Sequence, residues 1–166
     1  MKKLLAASCA LMLIVCLAGC SGRKTFDTGL GIRFVLDKTF EAEDGIGYDF
    51  GFSNEKSLLD SSEKEYEEKF IIILGIADTF SDLRESEPQI GEDLKNYVDF
   101  QTQNGELEDV REIDKGYSSE TVEEGYYYRN VYLKGRRSFY TVTFICSDSS
   151  AQAKAQIDEI VGRIKL

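Results

Sequence analysis

The alternation of apolar and polar positions predicts three strands in the first half of the chain. Residues 32–36 alternate and are rich in branched side chains, as expected of a strand. Residues 45–52 form a weaker second strand, which we expect to pair with the first through the intervening loop. Residues 70–76 are the most apolar stretch after residue 20, and their continuity indicates a central strand buried on both faces. The charged residues 54–69 follow no clear period and are predicted to be a solvated loop with at most one helical turn.

A helical period follows the only proline, Pro88. Apolar residues recur there at the spacing of one helix face, and they are Ile90, Leu94, Tyr97 and Val98. Asn104 and Gly105 supply the expected helix end. We therefore predict an amphipathic helix after the third strand.

The second half of the chain indicates an antiparallel sheet that is followed by a helix. Two strand-like runs within residues 126–146 flank Lys134-Gly135-Arg136, a tight-turn sequence, and a strand near 110–117 is expected to pair with this hairpin. Ser149 and Gln152 then form a capping box, which begins a helix. The apolar stripe of that helix consists of Ala153, Ile157, Ile160, Val161 and Ile164.

The order of these elements is typical of the α+β class. We predict a mainly antiparallel sheet with a helix after the third strand and a C-terminal amphipathic helix packed on the sheet. Laid out in this way, residues 31–166 resemble the fold of the PsbP family of photosystem subunits and of the Mog proteins that bind a Ran-type GTPase. They are also similar to bacterial lipoproteins that carry a PsbP-like domain. The resemblance rests on element order, and it implies one PsbP-like domain at 29–166 without assigning a role to any residue.

The N-terminus has the pattern of an export signal. Lys2 and Lys3 precede an uncharged apolar run, residues 4–17, which is shorter than the ~20 residues of a membrane span. Leu17-Ala18-Gly19-Cys20 resembles the lipobox of bacterial lipoprotein precursors. The resemblance implies a diacylglyceryl group on the Cys20 thiol and cleavage of the chain just before it.

This resemblance divides the chain into three segments. Residues 1–19 are the predicted lipoprotein signal peptide, 20–28 the lipidated N-terminus and tether, and 29–166 the domain. We expect the membrane, held through the lipid on Cys20, to be one partner of the protein. The predicted location is the extracytoplasmic face of the cell membrane, or the outer membrane if the cell has one.

The charge of the chain is strongly acidic. It contains 20 Lys and Arg and 30 Asp and Glu, and two of the lysines lie in the predicted signal, so the mature charge is 18 − 30 = −12. Nucleic-acid phosphates require clustered Lys and Arg, which argues against nucleic acid as a partner. The same charge argues against electrostatic docking on anionic lipid headgroups.

The cysteine and histidine content excludes several mechanisms. Only Cys146 remains after Cys20, so no internal disulfide is expected in the mature chain. The chain has no histidine, which excludes Ser-His-Asp and Cys-His catalysis and His-ligated zinc. Cys146 shares its strand phase with Val142 and Phe144 and is expected to be a small buried residue, although a reactive thiol is the alternative.

Two other motifs have some of the residues that cofactor- or metal-binding loops use. Gly45, Gly47 and Gly51 lack the spacing of a dinucleotide-binding loop and are predicted to form a turn and strand bulges. The acidic residues 41–45 and 60–68 lack the ligand spacing of a calcium loop, so a solvated acidic face is the favoured interpretation over calcium binding. We predict no cofactor and no resident metal.

One cluster of aromatic and basic residues is a candidate for partner binding. Strand side chains alternate between faces, so three consecutive tyrosines cannot all point into one core. A tyrosine on the other face could lie near an arginine, a combination that is favoured at binding surfaces. The candidate residues are Tyr126, Tyr127, Tyr128, Arg129, Arg136 and Arg137.

These observations favour a non-enzymatic, membrane-anchored accessory or binding module for a protein partner. A small-ligand carrier that serves a transporter is the alternative, and it requires a sizeable apolar pocket between sheet and helix. An enzyme that uses only carboxylates is the third hypothesis, and it requires two acidic groups that face each other in a cleft.

Overall fold

The computed structural model describes residues 22–54, 70–104 and 110–166. This part of the chain contains nine strands and three helices. The strands are β1 Arg23–Asp27, β2 Arg33–Asp37, β3 Glu41–Glu43, β4 Phe50–Ser53, β5 Ile71–Thr79, β6 Arg111–Ile113, β7 Gly116–Glu123, β8 Tyr126–Lys134 and β9 Ser138–Cys146. The helices are α1 Phe80–Ser86, α2 Leu94–Asn104 and α3 Ala151–Arg163.

A seven-stranded antiparallel sheet is the framework of the described structure. Its strand order is β3-β4-β5-β9-β8-β7-β6, and β1 and β2 form a separate antiparallel pair. The predicted α+β class with a mainly antiparallel sheet and a C-terminal helix is therefore confirmed. The predicted hairpin is also confirmed, since β8 pairs with β9 along almost its whole length and Gly135 N–H donates to the Ser138 carbonyl at 2.8 Å across the turn.

One face of this sheet is covered by α3 and the β1-β2 pair, and we call it the α3 face. Apolar side chains of α3 are buried there as the stripe predicted, from Ala153 to Ile164. The helix begins one residue later than expected. Ser150, not Ser149, is its N-cap, and the Ser150 hydroxyl accepts a hydrogen bond from Ala153 N–H.

The opposite face carries α1 and α2 over a second, smaller core. The Tyr97 ring of α2 stacks on Phe139 of β9 at 4.6 Å between ring centroids. The predicted helix face is buried at Ile90, Tyr97 and Val98, but the helix itself begins at Leu94. Helix α1 was not predicted, because it follows β5 without an intervening loop and has only two apolar residues, Phe80 and Leu83. Thr79 caps it by accepting from Asp82 N–H.

The predicted tether is wrong, because part of it belongs to the fold. Residues 23–27 form β1, in which Phe26 pairs with Phe34 of β2 and is buried. Phe26 is the only apolar residue of residues 21–28, so the alternation that marks a strand was too short to detect. The folded unit therefore includes Arg23–Asp27, instead of starting at residue 29.

Two strand predictions also need correction. Residues 32–36 do pair in a hairpin, but with β1 and not with residues 45–52, of which only the end forms β4 between β3 and β5. The predicted burial of β5 on both faces is wrong: Ile71 and Ile73 are buried, whereas Ile72 and Leu74 are half-buried. The predicted loop at 54–69 lies almost wholly outside the described residues.

Candidate interaction site on the central sheet

The structure divides the six candidate aromatic and basic residues among three places. Tyr127 and Arg129 lie on the α3 face and are buried. Tyr126 and Tyr128 lie on the opposite face, which confirms that the three tyrosines cannot share one core. The two arginines of the turn, Arg136 and Arg137, are exposed beyond the far end of β8, and the six residue steps of strand from Tyr128 to Lys134 alone span roughly 20 Å. These residues do not form one patch.

Arg129 is buried beneath α3, and its Nε and Nη1 groups both donate hydrogen bonds. Its side chain is only 4% exposed, its Nε donates to Ser118 Oγ at 3.0 Å, and its Nη1 donates to Asp158 Oδ1 at 2.5 Å. Ser118 belongs to β7 and Asp158 to α3, so one guanidinium joins two strands and a helix. A buried cation needs such partners because desolvation otherwise costs several kcal/mol.

The Glu120 carboxylate lies next to Arg129 and is surrounded by cations. It is paired with Arg129 in the β7-β8 register and forms ion pairs with Arg111 and Lys154. Burial raises the pKa of Glu120, but the neighbouring Tyr127 hydroxyl and the surrounding cations outweigh burial and hold the pKa below its ordinary value. Glu120 therefore stays ionised at neutral pH, which makes it a poor general acid.

The contacts of Tyr127, Arg129 and Lys154 hold α3 against the sheet. The Lys154 ammonium lies 4.7 Å from the centroid of the Tyr127 ring, a cation–π contact between α3 and β8. Burial and the Glu120 carboxylate raise the pKa of Tyr127, so its hydroxyl stays protonated beneath the helix. We therefore assign Tyr127 and Arg129 to internal packing of α3, where a partner cannot reach their buried side chains.

A set of apolar side chains remains partly exposed on the opposite face. The register places Ile72, Ile145 and Tyr128 side by side on β5, β9 and β8. Next to them, the rings of Phe70 and Tyr126 lie 6.0 Å apart, and Tyr126 is 39% exposed. We call these five residues the aromatic patch: Phe70, Ile72, Tyr126, Tyr128 and Ile145.

Sequence reasoning found only the tyrosines of the aromatic patch. Ile72 lies in a continuous apolar run, so its partial exposure could not be read from the alternation of residues. Ile145 alternates with the buried Phe144 and Cys146, and this alternation was a usable signal. Nothing local predicts that Phe70 lies against Tyr126, because the two residues are far apart in sequence.

Two clefts on the described surface are small. One cleft of about 80 Å³ lies against Tyr48 and Phe52, and another of about 90 Å³ lies against Asn54, Cys146 and Gln152. Pockets for small molecules usually hold 300–1,000 Å³. Neither cleft has the dimensions that the ligand-carrier hypothesis requires.

Several predicted features concern metal, thiol or membrane chemistry. Cys146 is 2% exposed, which confirms the prediction of a buried residue.

Across residues 22–54, 70–104 and 110–166, no three acidic or thiol side chains are arranged to hold a metal ion, and the acidic stretch 60–68 lies outside these ranges. None of the helices in these ranges is long and apolar enough to cross a membrane. Cys20 also lies outside the described residues.

The chain was compared with known proteins. No protein-family model matches it, and no curated protein is similar to it. Among solved structures, it is similar to the solution structure of cyanobacterial PsbP (CyanoP) from Synechocystis sp. PCC 6803, with 16% sequence identity over 90% of this chain and 98% of that chain and a TM-score of 0.36. A likeness at this level carries no argument about function, and the α+β assignment rests on the strand order itself.

Proposed function

We propose that this protein is an exported lipoprotein, anchored through Cys20, whose domain binds a protein partner and catalyses no reaction. The binding role is carried by one observation, the aromatic patch. Aromatic side chains are enriched in protein interfaces, where a few of them account for most of the binding energy. The lipobox-like sequence Leu17-Ala18-Gly19-Cys20 supports the anchor.

The shape of the aromatic patch favours a protein over a small molecule. Its members lie on β5, β8 and β9 and, for Phe70, directly before β5. Together they form a broad, shallow surface on one sheet face. Small ligands need a concave site that surrounds them, and the two clefts of about 80 and 90 Å³ are too small for that.

The charge arrangement supports a non-catalytic role. Acid–base chemistry at neutral pH needs a group whose pKa lies near 7, and imidazole is absent from the chain. Glu120, the carboxylate enclosed by three cations, has its pKa shifted away from neutrality. The arrangement of Glu120 stabilises the fold and provides no proton donor.

The proposal can be tested in cells that produce the full-length protein. A photo-crosslinking amino acid at position 126 should form an adduct with one membrane or extracytoplasmic protein, and the adduct should weaken when Tyr128→Ser is added. The control position is Val122, which is 58% exposed on the neighbouring strand but on the α3 face. Equal adducts from positions 122 and 126, or none from either, would contradict the binding site.

The anchor is tested in the same cells. Cys20→Ser should move the protein from the membrane to the soluble extracytoplasmic fraction and abolish incorporation of labelled fatty acid. Cys146→Ala is the matched control, since it removes the other remaining thiol and should leave the protein on the membrane. Membrane retention of the Cys20→Ser variant without labelled fatty acid on the wild type would refute lipid anchoring.

A further inference from the structure

The fold begins almost at the predicted lipid. Only Ser21 and Gly22 separate Cys20 from β1. Gly22 is already fixed to the fold, because its carbonyl accepts a hydrogen bond from Lys38 N–H at 2.9 Å. At ~3.3–3.6 Å per extended residue, the two steps from Cys20 to Gly22 span at most about 7 Å. The start of the β1-β2 pair is therefore held at the headgroup layer whenever Cys20 carries lipid.

This end of the molecule carries a group of cationic side chains, although the chain as a whole is acidic. Arg23 and Lys24 begin β1, and Lys38 follows β2 at the same end of the pair. The end of α3 adds Arg163, which shares the Glu159 carboxylate with Arg23. Among the side chains that the register and the ion pairs place there, the four cations Arg23, Lys24, Lys38 and Arg163 outnumber the two acids Asp37 and Glu159, and these six groups sum to 4 − 2 = +2, whereas the predicted mature chain carries 18 − 30 = −12.

We infer that these four cations form a docking surface for anionic lipid headgroups and fix the orientation of the anchored domain; this inference rests on the proposed lipid anchor. We call the surface the anchor end. Charges separated by more than about 8–10 Å are largely screened at physiological salt. Because the short linker keeps the anchor end at the membrane, its local charge decides the interaction, and the distant acids contribute little. The overall acidity that argued against headgroup docking does not apply at this end.

The orientation can be measured with the full-length lipoprotein, purified with its lipid and reconstituted in vesicles. A fluorophore is attached to Thr39→Cys, an exposed position beside Lys38, in a Cys146→Ala background. Ile46→Cys, which is fully exposed in the acidic loop before β4, is the matched position. Headgroup-labelled nitroxide lipid reports the proximity of each fluorophore to the membrane surface.

On vesicles with about 30 mol% phosphatidylglycerol, quenching at position 39 should exceed that at position 46 by about threefold, and about 0.5 M salt should reduce the ratio towards one. The ratio should also fall on pure phosphatidylcholine. Combining Lys24→Gln with Lys38→Gln should abolish the excess, while Lys95→Gln, a change in the exposed part of α2, should leave it intact.

Vesicle flotation separates the two proposals. Protein that floats with the vesicles but shows equal quenching at both positions overturns the oriented docking and leaves the anchor standing. If quenching at position 39 exceeds that at position 46 but does not change with salt, lipid charge or the lysine substitutions, the electrostatic cause is overturned. Wild-type protein that does not float overturns the anchor, and the docking surface with it.

Discussion

At the scale of single residues, Gly75 leaves room for the Phe50 ring because it has no side chain. Gly75 lies within β5, opposite Phe50 of β4. A Cβ atom at Gly75 would come within 1.9 Å of the Phe50 ring, so the ring packs directly on bare backbone. In the sequence this glycine is only one member of an apolar run. Its role depends on a cross-strand partner 25 residues earlier, and local reasoning could not supply it.

Gly75→Ala should destabilise the protein by about 1–3 kcal/mol, because the added methyl group forces Phe50 out of its position. Gly162→Ala is the control. Gly162 lies in α3 with open space around its Cβ position, so alanine should stabilise the helix by about 0.5–1 kcal/mol. Urea unfolding measures both changes. A neutral Gly75→Ala variant would show that the Phe50 ring is free to move.

The charge of Glu120 predicts a dependence of stability on pH. A carboxyl group whose pKa is lower in the folded state than in the unfolded state stabilises the fold above its ordinary pKa, 4.5 for this group, and this stabilisation is lost as the pH falls through the folded value. Glu120→Gln should therefore cost about 1 kcal/mol at pH 7 and progressively less below pH 4.5.

The measurement is the difference in free energy of unfolding between the wild type and Glu120→Gln, taken across this pH range. Glu112→Gln serves as a control, because Glu112 is exposed in the neighbouring strand β6 and should show a small difference at every pH. A Glu120→Gln difference that stays constant with pH would contradict the lowered pKa.

At the scale of elements, the sequence predicted best where the periodicity was long and amphipathic. The stripe of α3 and the β8-β9 hairpin were found because each pattern extends over several residues of one period. Helix α1 was missed because it follows β5 directly, and β1 was missed because it offers one apolar residue. Strand pairing was wrong for β2 because pairing depends on partners that local patterns do not reveal.

The assignment of β1 to the fold leads to a prediction about truncation. A chain that starts at Gly22 should fold as stably as the mature protein. A chain that starts at Gly29 loses β1 and the buried Phe26 ring, which lies 4.9 Å from Phe52, and should lose at least about 3 kcal/mol of stability. Thermal unfolding of the two chains decides between a strand and a tether, since a tether could be removed without effect.

At the scale of the whole molecule, the sequence predicted the class but not how the faces of the sheet are used. The period of β8 established that Tyr126 and Tyr127 point to opposite sides. Which side lies beneath α3 depends on contacts between residues far apart in the chain, such as Arg129 with Asp158. Because these contacts bury Arg129 beneath α3, it is not available to bind a partner. The aromatic patch lies on the opposite face of the sheet.

The attachment of the chain through β1 has a mechanical consequence. Tension on the anchor would act at Gly22, where β1 begins beside the end of β2, and it would open this two-stranded ladder one rung at a time instead of shearing it. Because β2 is the strand that pairs with β1 in the described part of the chain, the seven-stranded sheet would stay closed while this happens. Each residue released from β1 would lengthen the linker to the membrane by about 3.3–3.6 Å, so the β1-β2 hairpin would unfold before the seven-stranded sheet does.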